Sequence, residues 1–302
     1  MHGSNLDPPP AAHRAQTHIP FPHHHPWFLW QKSERYPLWP RPGHADSFAE
    51  HEFTAYLRPA AAAARLTPLE EHTGYWQIFV CRGAITLPTP AGSSATVPQG
   101  AFVSGLFPTS AIDGMAQGPD TLCLAKYSAV APDGAPPFEV TAQYSYFENP
   151  YADGLLDPYG AARLGGNPFK RDAPFTALVR FPVGAVVSSH YHTPPTFHEF
   201  IYLTGGHLTP DGFYGPGDHV TSIPGGKEGP WLATTQADAP YPADWPRWTP
   251  PPAVVPPPFP SPLGATDGHI YGLLFVHHGA FIHRDGRIRW HLLDASELGP
   301  AG

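Results

Sequence analysis

A chain of 302 residues and 32.7 kDa can bury a sizeable core and leaves room for two domains. Its formal charge of −8 gives no electrostatic case for nucleic acid or anionic lipid. Forty-two prolines and thirty glycines disfavour long helices and favour short strands joined by turns, while an aromatic content of 13% argues against wholesale disorder. No apolar run reaches membrane-spanning length, and the polar, proline-rich start does not look like a signal peptide, so a cytoplasmic location is the default expectation. Residues 1–48 read as an extended arm punctuated by Pro and Trp. It carries His18 and His23-His24-His25, taken as a segment that packs its aromatics against the fold, with metal binding or a lid as the alternative. The Ala60–Ala64 run is too short for a convincing helix. Cys81 and Cys123 lie in apolar stretches far apart and read as buried free thiols. Residues 134–165, rich in Tyr, Pro and Gly, read as a linker. Phe175–Val183 and Phe200–Leu203 read as strands. The segment 239–262, with Pro250–Pro252 and Pro256–Pro258, reads as an extended insertion before the last strands, placed either to cover a binding mouth or to sit as a surface loop. The adjacent pair His277-His278 is expected to be structural, since neighbours on a strand face opposite ways.

The most informative stretch runs from Gly184 to Gly206. In a strand, His190-Tyr191-His192 aims both imidazoles at one face. Two imidazoles converging with a third donor nearby begin a transition-metal site, and a metal held between adjacent strands suits a small β-barrel with inward-pointing ligands. The third donor is His198 or Glu199, which face opposite sides by strand parity. His198 keeps a six-residue spacing to Gly205, and Glu199 keeps it to Gly206. Tyr191, Phe200, Tyr202 and Trp231 are candidates to line an apolar pocket.

Gly184, five residues, then His190-x-His192 resembles the first motif of the cupins, which continues with an acidic ligand, six residues and a glycine. In the second motif's place stand Gly217-Asp218, Pro224-Gly225-Gly226 and Glu228, so the usual histidine is missing. The run Leu203 to Gly217, with Leu203-x-Gly205, Gly212-x-Tyr214 and Gly217, is similar to the group containing 2,4'-dihydroxyacetophenone dioxygenase and the cupin domain of ChrR anti-sigma factors. Gly272–Val276, Gly279–Ile282 and Asp285–Ile288 look like that group's closing strands. The resemblance implies an all-β fold of two cupin barrels (double-stranded β-helix, or jelly roll) with an extended N-terminal arm. Residues 166–298 would form the metal barrel, with ligands His190, His192, His198 or Glu199, and Glu228. The loop between His192 and His198, carrying Pro194-Pro195, is longer than the family's usual one.

An upstream copy of the motif, Glu70 to Gly83, places Glu70 and His72 in the His-x-His slots, Trp76 in the acidic slot and Ile112 roughly in the last. Trp and Ile side chains cannot bind a metal, so residues 49–133 read as a degenerate barrel that packs against the other. Glu71 and His72 then read as solvated strand-end residues.

A mixed His and carboxylate set suits one divalent metal per chain, Fe(II) favoured, with Zn(II), Mn(II) or Ni(II) also compatible. The resemblance implies Fe(II)-dependent oxidative carbon–carbon cleavage of a small, aromatic hydroxyketone or dicarbonyl, with dioxygen as co-substrate and Glu228, Tyr202 and Tyr191 near the chemistry. Two other readings stand beside it. One is a metal-dependent isomerase, cyclase or lyase; the other is a Zn(II)-binding sensing or structural bicupin. A homodimer through edge strands is the expected assembly.

Overall fold

The computed structural model describes residues 16–19, 28–30, 33–39, 52–59, 73–115, 118–132, 135–145, 147–148, 160–166, 174–187, 190–192, 197–210, 212–222, 227–236, 268–278, 281–282, 288–289 and 292–294. Among them the chain is almost wholly β, with a single short helix, Thr109–Asp113. No helix is long and apolar enough to cross a membrane.

Two seven-stranded antiparallel sheets dominate. The first runs in the order Phe138–Thr141, Phe102–Pro108, Thr73–Arg82, Leu122–Ser128, Glu52–Pro59, Ser33–Trp39, Phe28–Trp30. The second runs Gln16–Ile19, His219–Ser222, Phe197–Thr204, His269–His278, Phe175–Pro182, Gly160–Gly166, Phe147–Glu148. Smaller sheets accompany them. The first unit has the hairpin Ala84–Pro88 with Ser94–Pro98, and the second has a four-stranded sheet and the three-stranded sheet Lys227–Glu228, His190–His192, Leu292–Asp294.

Alternation along each central strand sorts side chains between two environments. In the strand Thr73–Arg82, Trp76, Ile78 and Val80 enter the first unit's own core with Phe53, Leu57, Val103 and Ile112. Phe79 and Cys81 point the other way, toward the second sheet. In Phe197–Thr204, Ile201 and Leu203 face the first sheet, while Phe200 packs with Val179, Phe181 and Leu274 inside the second unit. The large sheets are thus packed face to face through a shared apolar layer of Tyr56, Phe79, Phe102, Leu124, Leu178, Ile201, Leu273 and Phe275. Each such side chain contributes about 1.5–3 kcal/mol on burial, so this layer joins the units firmly.

Two expectations about organisation are corrected. The segment read as a linker contains Phe138–Thr141, which pairs with Phe102–Pro108 of the first sheet, and Gly160–Gly166, which pairs with Phe175–Pro182 of the second. The arm is divided as well: Gln16–Ile19 pairs with His219–Ser222 at the edge of the second sheet, whereas Phe28–Trp30 and Ser33–Trp39 extend the first. The cysteines are free and buried, as expected. His23–His25, Ala60–Ala64, Glu70–His72, and the insertion 239–262 lie outside the described residues.

Candidate metal centre

Gly205 sets the register of the site. It takes a left-handed conformation, φ 60°, where the chain turns from Phe197–Thr204 into Gly206–Thr209. A Cβ there would run into Ile270, so a side chain is excluded twice over, by strain and by space. Counting back from that turn, His198 lies on the same face as Phe200 and Tyr202, inside the second unit, and is 6% exposed. Glu199, fully buried, faces the first sheet. The two candidates for the third ligand therefore occupy opposite faces of one strand.

The strand His190–His192 lies between Lys227–Glu228 and Leu292–Asp294. In that ladder Glu228 is the direct partner of His190, Lys227 of Tyr191, and Leu292 of His192. The side chains of these residues lie outside what the structure describes. Among the described residues no group of three or more His, Cys, Asp or Glu is arranged to hold a metal ion.

Tyr202, expected near the chemistry, shares a strand face with His198 and Phe200. It lies four residues from His198, about 13 Å along an extended strand. Its hydroxyl is 2.9 Å from His207 Nδ1. His207 in turn stacks on Trp231 at 5.0 Å between ring centres and meets Phe181 edge-on at 4.9 Å. Phe200 contacts Tyr202 at 4.8 Å. Three of the four proposed pocket aromatics thus share one cluster, and His207, which the sequence reading passed over, joins them.

On the opposite face lies a polar group that no motif announced. Glu199 Oε2 accepts from His219 Nε2 at 2.7 Å, and Oε1 accepts from His277 Nε2 at 2.7 Å and from Thr54 Oγ1 of the first sheet at 2.8 Å. His277 Nδ1 lies 3.1 Å from Glu52 Oε1, which also pairs with Lys126 Nζ at 3.1 Å. Lys126 is only 4% exposed. Burial pushes the carboxyl of Glu199 up, but the hydrogen bonds from His219 and His277 outweigh it and hold the group well below the usual carboxylate range. Glu52 follows the same pattern: burial opposes its ionisation, yet the His277 hydrogen bond and the Lys126 charge bring it down to about 2. Lone buried charges are costly and are retained only where paired and hydrogen-bonded, a condition these groups meet. Beside them, between the sheets, is a cavity of about 510 Å³ lined in part by Glu52, Tyr75, Gln77, Lys126, Thr176 and His277.

The first unit carries the same strand and turn. Gly83, φ 76°, follows Thr73–Arg82 as Gly205 follows Phe197–Thr204. The residue seven before it is Trp76, and the next is Gln77. Trp76 is fully buried against Phe53 and Tyr127, at 5.6 and 4.9 Å between ring centres. Gln77 faces the second sheet and accepts a hydrogen bond from Thr176, mirroring the bond from Thr54 to Glu199. Ile112 is likewise core. Trp76 and Ile112 are thus packing residues, while Glu70 and His72 lie outside the described residues.

No protein-family model and no curated protein matches the chain. Solved structures do. A candidate glyoxylate-induced protein from Pseudomonas aeruginosa matches with a TM-score of 0.52 at 15% identity, covering 86% of this chain and 88% of that one. A candidate dioxygenase from Nostoc punctiforme matches at 0.51 and 12%, covering 93% and 87%. The protein YlbA from E. coli matches at 0.50 and 9%, covering 88% and 91%. At these identities the likeness shows the fold, and the fold is that of the cupin β-barrels.

Proposed function

We propose that the second unit is a metal-dependent dioxygenase chamber. Its divalent metal, Fe(II) by preference, would be held by His190, His192, His198 and Glu228. The substrate would be a small hydroxyketone or 1,3-dicarbonyl, aromatic where the pocket walls engage it, cleaved at a carbon–carbon bond beside a carbonyl. Both atoms of dioxygen then end in the two fragments.

The observation that carries this reading is the ladder pairing of Glu228 with His190, taken with the burial of His198 inside the same unit. Directly opposed residues in an antiparallel pair share one face, so the register supports Glu228 as a stand-in for the histidine expected in the second motif. Three imidazoles and one carboxylate fit the donor chemistry of Fe(II), Mn(II), Ni(II) or Zn(II). An Fe(II) ion there would polarise the substrate's carbonyl oxygen and supply the redox chemistry that dioxygen requires.

The chain's own residues shape the rest. Phe200 and Trp231 give the chamber apolar walls, and both are half-buried. Tyr202 with His207 closes it at a distance from His198, so these two act as wall and depth gauge and not as groups at the reacting bond. In this reading Glu199, which faces the first sheet, takes no part in the ligand set.

The test loads the metal-free protein anaerobically with Fe(II) and measures oxygen uptake with an aromatic hydroxyketone and a 1,3-dicarbonyl compound. Uptake with one of these, absent in the Zn(II)-loaded protein, is the expected result. Conversion of substrate without oxygen uptake would replace the reading with isomerase or lyase chemistry, and tight Zn(II) binding with no turnover would replace it with a sensing or structural role.

A further inference from the structure

We infer that Glu199 is a positioning residue for the ligand His198, clamped in place by Thr54 of the other sheet. The inference rests on the metal reading above. It begins at a break in the ladder: Phe197 pairs with His278 and His198 with Val276, leaving His277 as an extra residue in its strand. Such a bulge bends the strand and re-aims the side chains around it. His198 lies beside the bulge, paired with Val276 on that side and with Ser222 on the other.

Glu199 spans the irregularity. One carboxylate oxygen takes Nε2 of His277, the bulged residue, and the other takes Nε2 of His219 from the strand on the opposite side, both at 2.7 Å. Thr54 adds a third donor at 2.8 Å from across the interface. A carboxylate fixed by three donors on three strands has one available orientation, and the backbone at position 199 is fixed with it. The preceding residue is held in turn, with His198 directed into the second unit. The first unit supplies the contrast. At the matching position a neutral Gln77 takes one donor, Thr176, and the residue before it is the core side chain Trp76. The ionised clamp stands where the neighbouring slot holds an imidazole, and the neutral amide stands where it does not.

The first unit takes part in this clamp: it contributes Thr54 directly, and it contributes Lys126 and Glu52 through His277. Residues that support a metal ligand without touching the metal typically alter affinity by about 10–100-fold.

The experiment uses the full-length, metal-free chain titrated with Co(II), followed by visible absorption and by competition with a chelator, with far-UV circular dichroism as the check on folding. Glu199→Gln should weaken Co(II) binding by about 10–100-fold while leaving the band positions of the bound ion unchanged. Thr54→Val should weaken it in the same direction by less, and Thr54→Ser should restore it. Gln77→Ala, which disturbs the same interface at the matching position, should leave Co(II) affinity at the wild-type value. A Glu199→Gln protein with wild-type affinity overturns the inference, and so does a shifted Co(II) spectrum, which would make Glu199 itself a ligand. A loss equally large in Gln77→Ala overturns it too, by reducing the effect to general loosening of the interface. If the wild-type chain binds no Co(II), or binds it equally after His190→Ala with His192→Ala, the metal reading fails and takes this inference with it.

Discussion

The two units use one strand-and-turn device for different ends. In the first, the slot seven residues before the turn glycine holds Trp76, stacked into an aromatic core, and the next residue is the neutral Gln77. In the second, the same slots hold His198 and the ionised Glu199. A threonine from the facing sheet donates in each case, but the ladder is regular at Trp76 and Gln77 and carries a bulge beside His198. Alternation sends one residue of each adjacent pair to each side of its sheet, so the two units differ on both faces at once: Trp76 against His198 within the units, Gln77 against Glu199 between them.

The sharpest way to break this comparison is metal stoichiometry. Elemental analysis of untagged protein should find one equivalent of metal per chain, none after His190→Ala with His192→Ala, and an unchanged equivalent after Glu70→Ala with His72→Ala. Retention in the first double variant would place the site elsewhere, with the N-terminal histidines next to be tested. A smaller but still large effect concerns stability without metal. Trp76→Ala should cost about 3–5 kcal/mol in urea unfolding, because it opens a cavity in a closed aromatic core. A cost below 1 kcal/mol would show that the first unit's core is looser than its packing implies.

Charge separates the two halves of the interface next. Glu199→Ala leaves two buried histidines and Thr54 without their acceptor and should cost about 3–5 kcal/mol. Gln77→Ala removes a neutral acceptor and should cost about 1–3 kcal/mol. Equal losses would remove the distinction between an ionic clamp and a neutral one.

The smallest effect is the acid limb of Glu52. Its folded value, about 2, lies below its ordinary 4.5, so the folded state binds this proton more weakly than the unfolded chain does. The stabilisation is complete above 4.5 and is lost as pH falls through about 2. Glu52→Gln should therefore flatten the decline in stability of the metal-free protein across that window, and an unaltered acid profile would show that the pair with Lys126 and His277 does not form in solution.

Much of this was legible in the residues alone. The spacing of Gly184, His190 and His192 pointed to the fold, parity alone separated His198 from Glu199, and Trp76 at a ligand position marked the first unit as a packing partner. The polar seam was not legible, because Thr54, Lys126, His219 and His277 reach Glu199 or its neighbours from strands far apart in sequence, and no local pattern couples them. The strand Gly160–Gly166 was hidden by composition: Gly-Ala-Ala-Arg-Leu-Gly-Gly has almost none of the β-branched or aromatic residues that mark a strand, and only pairing with Phe175–Pro182 makes it one.

The pairing of Gln16–Ile19 with His219–Ser222 bears on how the protein is made. The strand that completes the edge of the second sheet leaves the ribosome about two hundred residues before its partner. At synthesis rates of about 5–20 residues per second, that interval is roughly 10–40 s. During it the early segment is a β-edge without its acceptor, open to mispairing with another nascent chain. Closure of the second sheet is therefore a late, long-range event in biogenesis.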